Sequence, residues 1–203
     1  MIPIRVLKIG GSLFQHDWLT TALGHWVAQE GSFLNVAVTG GGCWANKIRQ
    51  LESSGQLTKE EAHWSAVRMM SWSSIWLASK MTEASHISLI RDLRMLNSDQ
   101  TDSNLVFFDP FLWLRHGEPF QLGPKLPIGW QTTSDSIAAR LAQTLGADLV
   151  VFKSVRFEFA SITDAVQAGF VDDFFGEIVS NESSVRFIDF PQWHRDFNIL
   201  CNR

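Results

Sequence analysis

Apolar positions along this chain fall into two alternating kinds of segment. Residues 4–9 and 33–39 are short apolar runs, each followed at once by glycines. That is the pattern of a buried strand entering a turn. Residues 17–30, 42–53 and 58–80 have helix-compatible spacing, and the last opens on Thr58-Lys59-Glu60-Glu61, a capping box. Residues 86–90 and 104–108 read as strands. Asp109-Pro110 then starts a short helix with proline in its first position. Residues 117–129 carry three prolines and read as a loop. Thr133 to Leu145 reads as a helix closed by Gly146, and residues 148–152 as an apolar strand. Residues 162–168 form a further short helix ending at Gly169, and residues 185–188 a last strand. This alternation predicts an α/β protein, a three-layer αβα sandwich around a mainly parallel sheet. No linker, repeat or low-complexity tract divides residues 1–203, so a single domain is expected.

Composition narrows the functional classes. The chain is 45% hydrophobic and 19% charged, which is globular rather than disordered. Its net charge of -4 and lack of a long Lys/Arg run remove the electrostatic footprint of a nucleic-acid binder. Arg5 and Lys8 interrupt the only early apolar run, so no signal peptide is read. No apolar stretch reaches the roughly 20 residues of a membrane span. Cys43 and Cys201 make neither a disulfide framework nor a metal cluster, and a reducing cytoplasm is expected. His63, His86, His116 and His194 are scattered without zinc-ligand spacing, so no metal site is expected. The chain has nine tryptophans and no tyrosine. Trp64, Trp72 and Trp76 fall near one face of the helix at 58–80. A largely buried stripe is expected there, part of it packing across a twofold interface in a homodimer or higher homo-oligomer.

Candidate chemistry lies at the ends of the strands. Lys8-Ile9-Gly10-Gly11-Ser12 places a lysine and an open turn together, and Gly40-Gly41-Gly42 follows the second strand. Strand, glycine turn and helix start aim backbone N–H groups at an anion. An ordinary βα connection would use the same residues. Neither turn is a Walker A sequence or a dinucleotide fingerprint. Thr133-Ser134-Asp135-Ser136 opens a helix, where capping chemistry alone accounts for the Thr/Ser and the acidic first turn. The strand that follows ends in Lys153. A lysine at that end of a parallel strand faces the crevice where open α/β sheets bind ligands. Arg49, Arg68, Arg91 and Arg94 are candidates for an acceptor-phosphate site. Asp172-Asp173 and Glu60-Glu61 read as solvated helix ends.

These pieces together resemble the amino acid kinase family, which includes acetylglutamate, aspartate and uridylate kinases. The matching segments are Lys8 to Ser12, Gly40 to Gly42, Thr133 to Ala139 and Val150 to Lys153, in the family's order. His63-Trp64, Asp109-Pro110 and Leu126-Pro127 leading to Trp130 further resemble the aminomethylfuran-methanol phosphate kinases of methanofuran biosynthesis. The resemblance implies ATP-dependent phosphoryl transfer to a small molecule, with Mg²⁺ arriving on the nucleotide. It implies that Lys8 and Lys153 flank the transferring group and that Asp135 orients both. By the same resemblance Gly10, Gly11, Gly40 and Gly41 donate N–H groups to phosphate oxygens, with Ser12, Gly42 and Ser134 beside them. The sequence also departs from the family. Lys153-Ser154 runs into Val155-Arg156-Phe157-Glu158, where the family continues Val-Asp-Gly, and the segment expected to wrap adenine and ribose is short. Asn46 and Gln131 stand where aspartate is usual, and Arg156 is expected to point outward. A second reading follows: a catalytically degenerate protein of this fold that binds an anion or nucleotide in a structural or regulatory role.

Overall fold

The computed structural model describes residues 2–82, 84–92, 104–179 and 184–201. Its centre is one six-stranded sheet, parallel at every pairing. The strands are β1 (Ile4–Ile9), β2 (Leu34–Thr39), β3 (Ser85–Ile87), β4 (Leu105–Phe108), β5 (Asp148–Lys153) and β6 (Val185–Asp189). Their order across the sheet is β3-β4-β2-β1-β5-β6. β1 therefore has β2 on one side and β5 on the other, which makes its carboxyl end a topological switch point.

Strand parity decides which side chains face which layer. Along β1, Val6 enters one core, while Leu7 and Ile9 enter the other. The first core packs helices α3 (Lys59–Ser79) and α5 (Ser134–Leu145) through Val67, Met70, Ile137 and Leu141. The second packs α1 (Leu19–Gln29) and the C-terminal helix α8 (Phe190–Cys201) through Leu23, Trp26 and Phe190. Helices thus cover both faces, as the alternation predicts. Lys8 shares the parity of Val6, and Lys153 shares that of Val151. Both lysines therefore stand on the α5 face, just beyond the apolar stripe that anchors their strands.

The remaining elements are α2 (Gly42–Ser53), α4 (Phe111–His116), α6 (Ile162–Gln167), α7 (Phe175–Ile178) and two 3₁₀ turns at residues 11–15 and 118–120. Pro110 caps α4 rather than opening it. The capping box at Thr58 and Glu61 is present in both directions. Two helical segments escape the sequence pattern. α7 is a single turn, too short to show a period, and α8 abuts β6 without an intervening loop. No helix among the described residues is long and apolar enough to cross a membrane.

The tryptophan stripe on α3 is not the buried face. Trp72 is 54% exposed, and Trp64 and Trp76 are half-buried. α3 instead buries Ala62, Val67, Met70, Ser71, Ser74 and Leu77. That face mixes serines and an alanine with Val67, Met70 and Leu77, and the tryptophans lie on its flank.

The two glycine turns meet at the carboxyl edge of the sheet. A Cβ on Gly11 would lie 2.5 Å from the Gly42 nitrogen and 2.8 Å from its Cα. One on Gly40 would lie 2.7 Å from the Gly11 nitrogen. Gly11→Ala is therefore expected to cost about 1–3 kcal/mol, because backbone rather than a flexible side chain must move. Gly24 lies within α1, where the nearest atom to an added Cβ is 3.9 Å away. Gly24→Ala should stabilise by about 0.5–1 kcal/mol through helix propensity. Urea unfolding of the two variants checks the contrast. Equal effects would contradict the contact between the turns.

Candidate functional site

Asp135 sits in the first turn of α5, directly above the two strand-end lysines. Its Oδ1 is 2.7 Å from Lys8 Nζ, and its Oδ2 is 2.9 Å from Lys153 Nζ. All three side chains are nearly buried, with 5%, 8% and 12% of Lys8, Asp135 and Lys153 exposed. The geometry thus brings together the three residues that the sequence offers as catalytic, from positions up to 145 residues apart in the chain numbering.

Burial and the neighbouring charges compete at this centre. Burial alone would raise the Asp135 carboxyl, but Lys8 and Lys153 outweigh it and hold the group below its ordinary value. Lys153 is lowered from 10.5 to about 8 by burial first and by Lys8 second, with Asp135 and Asp172 acting in the opposite sense. Two cations around one carboxylate leave a positive surplus, which suits a bound anion. Lys153 also donates to the Phe170 carbonyl at 2.5 Å and lies over the Phe170 ring.

Not every glycine expected to offer an N–H group is free to do so. Gly10 N–H donates to Phe152 O at 3.1 Å, and Gly40 N–H donates to Ile9 O at 2.9 Å. These bonds extend the sheet past the strand ends and fix the two turns. Gly10 and Gly40 are therefore architectural, while Gly11 and Gly41 N–H groups take no part in those bonds. Ser12 is exposed and hydrogen-bonded to Ser154 at 2.7 Å, joining the first turn to the end of β5. α2 starts at Gly42, which has a φ of 61°, and no side chain caps it.

A cavity of about 620 Å³ opens beside these groups. Lys8, Gly11, Gly41, Ser134 and Asp135 form its polar end. Phe14, Trp44, Trp76 and Trp130 form much of the rest, with His63 and Thr132 between. His63 Nδ1 accepts from Gly129 N–H at 3.2 Å, and burial lowers its proton affinity, so its ring is neutral near pH 7. The Thr132 hydroxyl is buried with no protein partner. Of the arginines, Arg49 lines the cavity and lies over the Trp130 ring at 4.4 Å. Arg68 packs on Phe111 instead, Arg91 is exposed, and Arg94 lies outside the described residues.

The helix start is held differently from the sequence reading. Thr133 is the N-cap of α5 but makes no side-chain cap bond. The capping group is the carboxylate of Asp172, which reads from sequence as part of a solvated helix end. The contact spans 36 to 39 residues, so no local pattern reveals it. Arg156 points outward with its side chain 81% exposed, as expected. Phe157 packs against Phe159, Phe170 and Phe187.

The Lys153 value carries a pH dependence. The unfolded chain keeps this proton up to 10.5, so between about 8 and 10.5 it binds more protons than the folded state. Lys153 therefore costs stability below about 8, and that cost is relieved as pH rises through this window. Carbon NMR of labelled lysines should show one lysine titrating near 8 that disappears in Lys153→Arg. A Lys153 titration at the ordinary value would contradict the buried, lysine-flanked environment.

No family model and no curated protein matches the sequence. Solved structures do match. The uridylate kinase from Archaeoglobus fulgidus aligns at 15% identity over 96% of each chain, with a TM-score of 0.61. The UMP kinase from Bacillus anthracis aligns at 15% identity over 100% of this chain and 94% of its own, with a TM-score of 0.64. The aspartate kinase from Synechocystis aligns at 15% identity over 91% of this chain but 38% of its own, with a TM-score of 0.54. An all-parallel six-stranded sheet, covered on both faces and shared with these proteins over nearly its whole length, gives this chain the amino acid kinase fold.

Proposed function

We propose that the protein is an ATP-dependent phosphotransferase acting on a small molecule that presents a phosphate or carboxylate acceptor. The observation that carries this reading is the Lys8–Asp135–Lys153 centre beside the paired glycine turns. Phosphoryl transfer asks little covalent chemistry of a protein. It asks for in-line positioning and for neutralisation of charge spread over the equatorial oxygens. Lys8 and Lys153 approach one carboxylate from two strands, so both ammonium groups are fixed before a ligand arrives. Asp135 orients them. It is poorly suited to be a base, because the lysines hold its carboxyl low. Gly11 and Gly41 supply N–H groups at the cavity end.

The residues present fit the phosphate tail of a nucleotide. No group of three or more His, Cys, Asp or Glu able to hold a metal occurs among the described residues. Mg²⁺ would therefore be held by phosphate oxygens and water, and would supply charge neutralisation there. On the acceptor side, the aromatic lining of Phe14, Trp44, Trp76 and Trp130 suits a flat ring. A furan-methanol phosphate of a methanofuran-like cofactor pathway has that shape and charge. Arg49 and the free Thr132 hydroxyl are available to its polar groups.

A second reading is a kinase-fold protein without transfer activity that binds an anion or nucleotide. The inward packing of Phe157 and the outward Arg156 favour it, since the turn after β5 then offers aromatic packing where a nucleotide base is expected. Phosphorus NMR of the protein with Mg-ATP and a set of acceptors separates the two. The acceptors should include furfuryl-type phosphates, UMP and amino acid carboxylates. The kinase reading expects transfer to one acceptor class, and a loss of about 10²–10³ in rate for Lys8→Ala and for Lys153→Ala with the fold intact by circular dichroism. Wild-type rates in both variants would refute it. Absence of transfer from wild type to every acceptor would favour the second reading.

A further inference from the structure

The turn formed by residues 170–174 holds Lys153 of the charged centre and also the helix start that carries Asp135. Asp172 Oδ2 accepts from Thr133 N–H at 2.8 Å, Thr133 Oγ1 at 2.7 Å and Ser136 N–H at 3.0 Å. Its Oδ1 accepts from the Ser136 hydroxyl. Two residues earlier, the Phe170 carbonyl accepts from Lys153 Nζ. Two residues later, Phe174 N–H donates to Gln131 O at 3.0 Å. Asp172 is half-buried, and Val171 and Phe175 anchor the turn in the core.

We propose that Asp172 is a positioning residue: by gathering four donors from the first turn of α5, it sets where that helix presents Asp135 to Lys8 and Lys153. The proposal rests on the phosphotransfer reading for its catalytic consequence. An ordinary N-cap would be supplied by Thr133 itself, and would leave α5 free to shift along its axis relative to β5. Here the Thr133 hydroxyl donates to Asp172 instead, so the helix start is tied to the segment after α6. The same segment receives the Lys153 ammonium. The start of the helix carrying Asp135 and the Lys153 ammonium are therefore both tied to one turn. A shift of a few tenths of an ångström in α5 would change both distances at Asp135.

The charge of Asp172 matters as well as its geometry. The charged groups facing Lys153 are Lys8 from β1, Asp135 from α5 and Asp172 from the turn. Lys8 disfavours the Lys153 proton, while both carboxylates favour it. Removing the Asp172 charge therefore lowers the pH at which Lys153 loses its proton. It should also lower the basic limb of any rate profile that needs that proton.

Asp172→Asn is the test, with Asp173→Asn as a neighbour of equal charge that is exposed. Asp172→Asn should lower kcat at least tenfold with little change in KM, and should move the Lys153 titration, read by lysine NMR, to lower pH. Asp172→Glu should restore part of kcat by restoring the carboxylate, and Asp173→Asn should change neither quantity. If Asp172→Asn does not fold, Ser136→Ala and Thr133→Val each remove one hydroxyl donor and should each lower kcat with the Lys153 titration nearly unmoved. An Asp172→Asn protein with lower thermal stability but unaltered kcat and an unaltered Lys153 titration would overturn the proposal. So would wild-type kcat in both hydroxyl variants. The NMR readout needs no turnover. Failure of the wild type to transfer phosphate would therefore count against the phosphotransfer reading, and an unmoved titration against this one.

Discussion

A single buried carboxylate between two lysines is the constraint around which the rest is arranged. Burying three charged groups is costly unless each is paired. Here Asp135 meets Lys8 at 2.7 Å and Lys153 at 2.9 Å, but the trio retains one net positive charge. That surplus is tolerable because the site opens into a cavity on the Lys8 side. An anion placed there would complete the pairing. Burial first, and the neighbouring Lys8 charge second, depress the proton affinity of Lys153.

The sheet supplies the precision. β1 is flanked by β2 and β5, and the three strand ends carry the lysines and the glycine turns. The Gly10 and Gly40 N–H bonds continue the ladder past the last strand residue, so the turns do not hang free. Close contact between Gly11 and Gly42 then brings the start of α2 against the first turn. A side chain at Gly11 or at Gly40 would press on the backbone of the other turn. The opposing wall comes from α3, on whose flank Trp72 and Trp76 line the opening.

Much of this was legible in the sequence, for reasons that are local. Apolar runs ending in glycine mark β1 and β2, and the Gly146 and Gly169 stops are seen in left-handed conformation. Lys153 is legible because a polar residue closes an apolar strand, and Lys8 because a lysine interrupts one just before a glycine turn. Asp135 by its position reads as ordinary helix-start chemistry, and only the family resemblance singles it out. What escapes is what depends on distant partners. Asp172 shows no local sign of its role, because all four of its donors lie 36 or 39 residues away. The use of Gly10 and Gly40 N–H groups in the ladder follows from strand order, which spacing does not reveal. The tryptophans at 64, 72 and 76 share a helical side, but periodicity alone does not say that another side is the one pressed on the sheet. The Phe157 cluster likewise joins β6 to the turns after β5 and α6.

On the proposed function, the Lys8–Asp135–Lys153 centre binds the phosphates of a nucleotide. Isothermal titration calorimetry of wild type with Mg-ATP and with a non-hydrolysable analogue tests it most directly, with Asp135→Asn alongside. Wild type is expected to bind both ligands saturably at submillimolar nucleotide, and Asp135→Asn to alter the affinity because the two lysines lose their shared anchor. Heat-silent titrations to millimolar nucleotide, with no thermal stabilisation by either ligand, would contradict it and leave the fold with a different task.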